Sequence, residues 1–130
     1  TEPRVLAVLD WELSTLGHPL ADFSYHCMSW HIEPGQFRGI AGLDLPALGI
    51  PDEAAYIRRW CERTGLARPE DLAADWNFYL AYNLFRLAAI LQGIAKRAQE
   101  GIASSDQART AGAGARGLAE MGWRYARQAS

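Results

Sequence analysis

Residues 75–101, DWNFYLAYNLFRLAAILQGIAKRAQEG, place the strongest constraint on the fold. Leu80, Leu84, Leu87 and Leu91 recur at a 4-3-4 spacing, which lines one face of an α-helix with apolar groups. Phe78, Tyr82, Phe85 and Ala89 fill the adjacent face. A stripe that wide predicts a helix buried on two sides, so the domain is expected to be mainly α and organised around it. Lys96, Arg97, Gln99 and Glu100 mark where the helix emerges into water.

Other helices announce themselves by their first turns. Pro51-Asp52-Glu53 and Pro69-Glu70-Asp71 each put a proline and early acids at a helix start, where a missing N–H and negative charge are both favourable. Tyr56, Ile57, Trp60 and Cys61 give the first of these an apolar face, and Gly65 ends it. From Pro19, the residues Leu20, Phe23, Tyr25, Cys27, Met28 and Trp30 fit a short, mostly buried helix. Residues 31–50 carry Pro34, Gly35, Gly39, Gly42, Pro46 and Gly49 and read as loop. Ser104 or Ser105 is expected to cap a last helix running to about Arg127. The three glycines of AGAGARG in its middle predict either a close helix contact or a break.

The one expected strand is residues 5–9, where Val5, Leu6, Val8 and Leu9 crowd apolar groups together. A single strand cannot satisfy its own backbone, so its partners are expected outside these 130 residues or in a second copy. The run stops at Asp10-Trp11-Glu12. A carboxylate fixed just past a buried strand suits a hard cation such as Mg²⁺, which takes oxygen ligands and commonly brings phosphates with it. Capping a turn or pairing with an arginine is the plainer role for Asp10.

The overall balance removes several function classes. Net charge is -2 with no basic stripe, which argues against a nucleic-acid surface. Cys27 and Cys61 form no CxxC pair and read as reduced thiols. No stretch reads as the about 20 apolar residues that span a bilayer, and no basic leader opens the chain, so a cytoplasmic location without membrane contact is expected. Starting at Thr1, the chain is expected to be processed or a piece of something longer.

The segment VLDWELSTLGHPLADFSY closely resembles the part of the aminoglycoside phosphotransferase family that follows the catalytic loop, in a branch of the protein-kinase-like fold. There an apolar strand leads to Asp-Trp-Glu or Asp-Phe-Glu, then Gly-Asp-Pro, then Asp-Leu-Ala. Here Asp10-Trp11-Glu12, Gly17-His18-Pro19 and Asp22-Phe23-Ser24 stand in those places. The downstream FYLAYNLFRLAAILQGIAKRAQEGIASS is similar to the subgroup whose kinase-like domain is fused to some acyl-CoA dehydrogenases.

The resemblance implies a C-terminal helical lobe with one strand at its start, and transfer of phosphate from ATP to a small-molecule hydroxyl. Asp10 would bind Mg²⁺ between the nucleotide phosphates, with Glu12 nearby. Asp22 would hold the catalytic loop through backbone hydrogen bonds, as structural support. Tyr82, Asn83 and Arg86 would face the substrate cleft, and the acceptor could be a hydroxyl-bearing acyl thioester. The family's His-Gly-Asp loop, its glycine-rich loop and its nucleotide-anchoring lysine are expected before Thr1. The catalytic residues therefore lie outside this chain, and the fragment is expected to be inactive alone. His18 departs from the usual Asp.

Other readings compete. His18, His26, Cys27 and His31 match no closed zinc spacing. Ser24, His26 and Asp22 lack a nucleophile elbow. Arg86 needs a partner if buried, with Asp22 or Asp75 the expected carboxylates. Trp11, Trp30, Trp60, Trp76 and Trp123 read as core or helix-contact residues. The alternative function is a non-catalytic helical interaction module, a degenerate kinase-like lobe that pairs with a copy of itself.

Overall fold

A computed structural model describes residues 3–10, 12, 14–102 and 112–129. Five α-helices organise them: α1 Pro19–Cys27, α2 Glu53–Thr64, α3 Pro69–Leu72, α4 Trp76–Gln99 and α5 Ala115–Ala126. Single 3₁₀ turns, Met28–Trp30 and Gly112–Gly114, follow α1 and precede α5. The architecture is the expected helical lobe.

Local chemistry sets the helix ends. Asp52 Oδ1 accepts the Ala55 amide at 2.7 Å and caps α2. At its other end Gly65 takes a left-handed φ of 65° and returns its N–H to the Cys61 carbonyl, a conformation that costs glycine nothing. Pro19 opens α1 and Pro69 opens α3, as the sequence predicts.

Helix α4 is the spine. Leu80, Leu84, Leu87 and Leu91 are 0–6% exposed and pack with Met28, Ile32, Ala115 and Leu118 into one core cluster. Each such side chain contributes about 1.5–3 kcal/mol by leaving water. A second cluster joins Leu20, Phe23, Cys27, Cys61 and Leu72 across α1, α2 and α3, and Trp76 packs against both. Helix α5 runs antiparallel along α4: Gly112 lies against Ala95, and Gly122 against Ala81, Leu84 and Phe85.

Four expectations change. Residues 5–9 form no strand. Val5, Leu6, Val8 and Leu9 are 61–83% exposed, because no neighbouring strand among the described residues takes up their backbone groups. The second face of α4 is open: Phe78, Tyr82 and Phe85 are 48–69% exposed, since α5 covers only part of the stripe. The last helix begins at Ala115, and both predicted outcomes of AGAGARG occur: the backbone tightens to a 3₁₀ turn at Gly112–Gly114, and Gly112 closes on Ala95. The Ser104 and Ser105 caps lie outside the described residues. Finally, α4 is long and apolar enough to cross a bilayer by length and composition, contrary to the sequence reading. In this fold it is the core helix between α1 and α5.

Candidate functional site

The apolar run of residues 5–9 leads to Asp10 at the surface. Asp10 has a φ of +64°, a left-handed conformation that a short polar residue tolerates better than most, and it is exposed. Glu12 is exposed as well, while Trp11 lies outside the described residues. Neither carboxylate enters an ion pair among the described residues. Accessible carboxylate oxygens are the donor chemistry that Mg²⁺ accepts while keeping waters and phosphate oxygens as its other ligands. No third His, Cys, Asp or Glu gathers with them among the described residues.

Asp22 stands exposed in the first turn of α1. His18, where the resemblance leads one to expect Asp, caps this helix. Its Nδ1 accepts the Leu20 amide at 3.4 Å and lies 3.2 Å from the Tyr79 hydroxyl, and its ring stacks on Tyr79. A ring nitrogen thus does the work a carboxylate oxygen does elsewhere.

Tyr82, Asn83 and Arg86 separate. Asn83 is fully buried and faces α1, with its amide donating to the Ala21 carbonyl at 2.9 Å and to Ser24 Oγ at 2.8 Å. The Ser24 hydroxyl in turn donates to the Leu20 carbonyl. Asn83 therefore locks α4 to α1, and the expectation that it faces a cleft gives way to this packing role. Its Oδ1 has no partner among the described residues. Tyr82 and Arg86 are exposed. The expected ion pair of Arg86 with Asp22 or Asp75 does not form; instead its guanidinium sits 5.2 Å from the centre of the Tyr25 ring. Being exposed, it needs no carboxylate.

The histidines and Cys27 serve separate places. His26 packs against Trp30 and Tyr56. Cys27 is buried, and desolvation, then the nearby Glu53 carboxylate, push its thiol up to about 12. Trp60 stacks on Phe23 with centroids 4.4 Å apart, and Trp30 donates to the Pro51 carbonyl, as helix-contact residues should. Trp123 departs from that expectation at 65% exposed.

One polar cluster escaped sequence reasoning. Glu53 Oε1 accepts from Trp76 Nε1 at 3.1 Å and lies 2.8 Å from His31 Nε2. The other ring nitrogen of His31 is 2.7 Å from the Tyr125 hydroxyl. This chain of contacts ties the α1–α2 connection, α2, α4 and α5 together. Its members are 22 to 94 residues apart in sequence, so no local pattern signals it.

Residues 1–72 match the model of the phosphotransferase enzyme family. Acyl-CoA dehydrogenase family member 10 of Mus musculus is 46% identical over 126 residues, covering 95% of this chain and 11% of that protein. Acyl-CoA dehydrogenase family member 11 of Mus musculus is 38% identical over 123 residues, covering 93% of this chain and 15% of that protein. A crystal structure assigned to an aminoglycoside phosphotransferase of Ralstonia eutropha JMP134 superposes with a TM-score of 0.86 at 68% identity, over all of this chain and 38% of that one. The chain thus spans a minor share of each protein it matches.

Proposed function

Because the chain belongs to the phosphotransferase enzyme family, we propose that it forms the helical lobe of an ATP-dependent enzyme that phosphorylates a small-molecule hydroxyl. Asp10 holds Mg²⁺, with Glu12 beside it, and the ion neutralises nucleotide phosphate charge. Asp22 braces the catalytic loop from the start of α1. The observation that carries this reading is Asp10 itself: an exposed carboxylate without an ion-pair partner among the described residues, in a left-handed turn, at the tip of an unpaired apolar run. In phosphoryl transfer the protein mainly positions groups and offsets charge, and a lobe that presents one carboxylate in a set conformation suits that task. Similarity to proteins named as acyl-CoA dehydrogenase family members favours a hydroxylated acyl thioester as acceptor. Nucleotide-gripping residues and the general base belong to other parts of the longer protein, and the location is cytoplasmic.

ATP turnover tests this. A polypeptide extended to include the catalytic loop turns over ATP with Mg²⁺, and Asp10→Asn lowers the rate at least about 100-fold, the usual effect of losing one electrostatic contact to a transition state. The 130-residue chain alone is inactive. Wild-type turnover in Asp10→Asn, or turnover by the isolated chain, overturns the reading.

A further inference from the structure

We propose that Asn83 is a positioning residue of the phosphotransferase site. It sets the Asp22 carboxylate against the catalytic loop by gripping the turn of α1 that carries it, an inference that rests on the bracing role of Asp22. Asp22 lies in the first turn of α1, a helix of nine residues. A helix that short is marginal by itself in water, and its first turn has no preceding turn to bond to. The geometry of that turn is therefore set from outside.

Helix α4 supplies the grip at two points one turn apart. Tyr79 reaches the N-cap His18, with its hydroxyl 3.2 Å from Nδ1 and its ring stacked on the imidazole. Asn83 donates to the Ala21 carbonyl at 2.9 Å and to Ser24 Oγ at 2.8 Å. These acceptors bracket Asp22 in the chain, one immediately before it and one two residues after. Asn83 and Ser24 are fully buried, so water does not compete for their bond. Leu20 and Phe23 are buried in the cluster that includes Cys61 and Leu72. Among residues 20–24 Asp22 alone is exposed. Its neighbours are held, and its carboxylate is presented to the surface. Such placement suits a bracing group, since a shift of about 1 Å at a distance from the chemistry can cost 100-fold in rate. The grip lies inside these residues, so it does not depend on what the rest of the longer protein covers.

Asn83→Leu keeps the branched shape of the side chain and removes both donated bonds. In a polypeptide extended to include the catalytic loop, at a temperature where circular dichroism shows the variant folded, it is expected to lower kcat about 10- to 100-fold with KM for ATP unchanged. In an Asp22→Ala background the same change lowers the residual kcat less than about twofold, because the carboxylate it places is gone. Equal losses in the two backgrounds, or a wild-type kcat in Asn83→Leu, overturn the proposal. A second readout needs no turnover. In the 130-residue chain Asn83→Leu speeds amide hydrogen exchange at residues 22–25 at least about tenfold and leaves α2 unchanged. Wild-type protection at those amides, or a loss spread evenly over α1, α2 and α4, overturns it as well. An extended wild type that turns over no ATP refutes the phosphotransferase reading instead, and hydrogen exchange then decides whether Asn83 holds the turn.

Discussion

At the start of α1 one imidazole nitrogen carries the cap. His18 Nδ1 accepts the Leu20 amide and lies 3.2 Å from the Tyr79 hydroxyl. A carboxylate at the same place accepts the Leu20 amide as well. His18→Asp is therefore expected to keep the stability of the chain, and His18→Ala to lose about 1 kcal/mol in urea unfolding. Equal losses in both variants would assign the effect to the stacking on Tyr79 instead. Asn83 matters more, because its donors serve buried acceptors. Asn83→Ala leaves the Ala21 carbonyl without that donor and is expected to cost about 1–3 kcal/mol. Ser24→Ala added to it costs little further, since the two side chains act as one unit; additive losses in the double-mutant cycle refute that coupling. Asn83 was visible in the sequence as a break in an apolar stripe. Its direction was not, because one residue of helix rotation separates a cleft-facing amide from a core-facing one.

Among the elements, α4 shows what periodicity can and cannot reveal. The leucine face is local information, and the fold buries it. Whether Phe78, Tyr82 and Phe85 are covered depends on where α5 crosses, and that contact lies some forty residues on in the sequence. Residues 5–9 carry strand chemistry but form no strand here, since pairing needs a second segment that local composition does not describe. The glycines of AGAGARG separate by the same logic. Gly112 abuts Ala95, so Gly112→Ala forces the helices apart and is expected to cost about 1–3 kcal/mol. Gly117, in α5 itself, faces open space, so Gly117→Ala is expected to stabilise by about 0.5–1 kcal/mol through helix propensity alone. Opposite signs of the shift in urea midpoint check this pair. A stabilising Gly112→Ala would mean that the 3₁₀ turn does not depend on close approach.

For the whole molecule, two core clusters have to act as one, and the link between them is partly polar. Trp76 packs against both while donating to Glu53, and Glu53 continues through His31 to Tyr125 on α5. Two ionisable groups near this half-buried carboxylate, Cys27 and Tyr125, make stability fall at alkaline pH. Desolvation, then Glu53, raises both the Cys27 thiol, from 9.0 to about 12, and the Tyr125 hydroxyl above 10.0; Arg124 partly opposes the latter. Both groups ionise more readily in the unfolded chain. Their contribution to stability is therefore fully present below pH 9.0 and is lost as pH rises towards about 12. The urea midpoint is expected to be insensitive to these groups from pH 7 to 8.5 and to fall above 9. Cys27→Ala lowers the midpoint throughout, because it empties core volume, but it also flattens the decline above pH 9. Tyr125→Phe flattens the decline only above pH 10, and a double variant adds the two effects. An unchanged slope in Cys27→Ala would show that the thiol titrates alike in both states. Glu53 would then exert no charge on the α1 core.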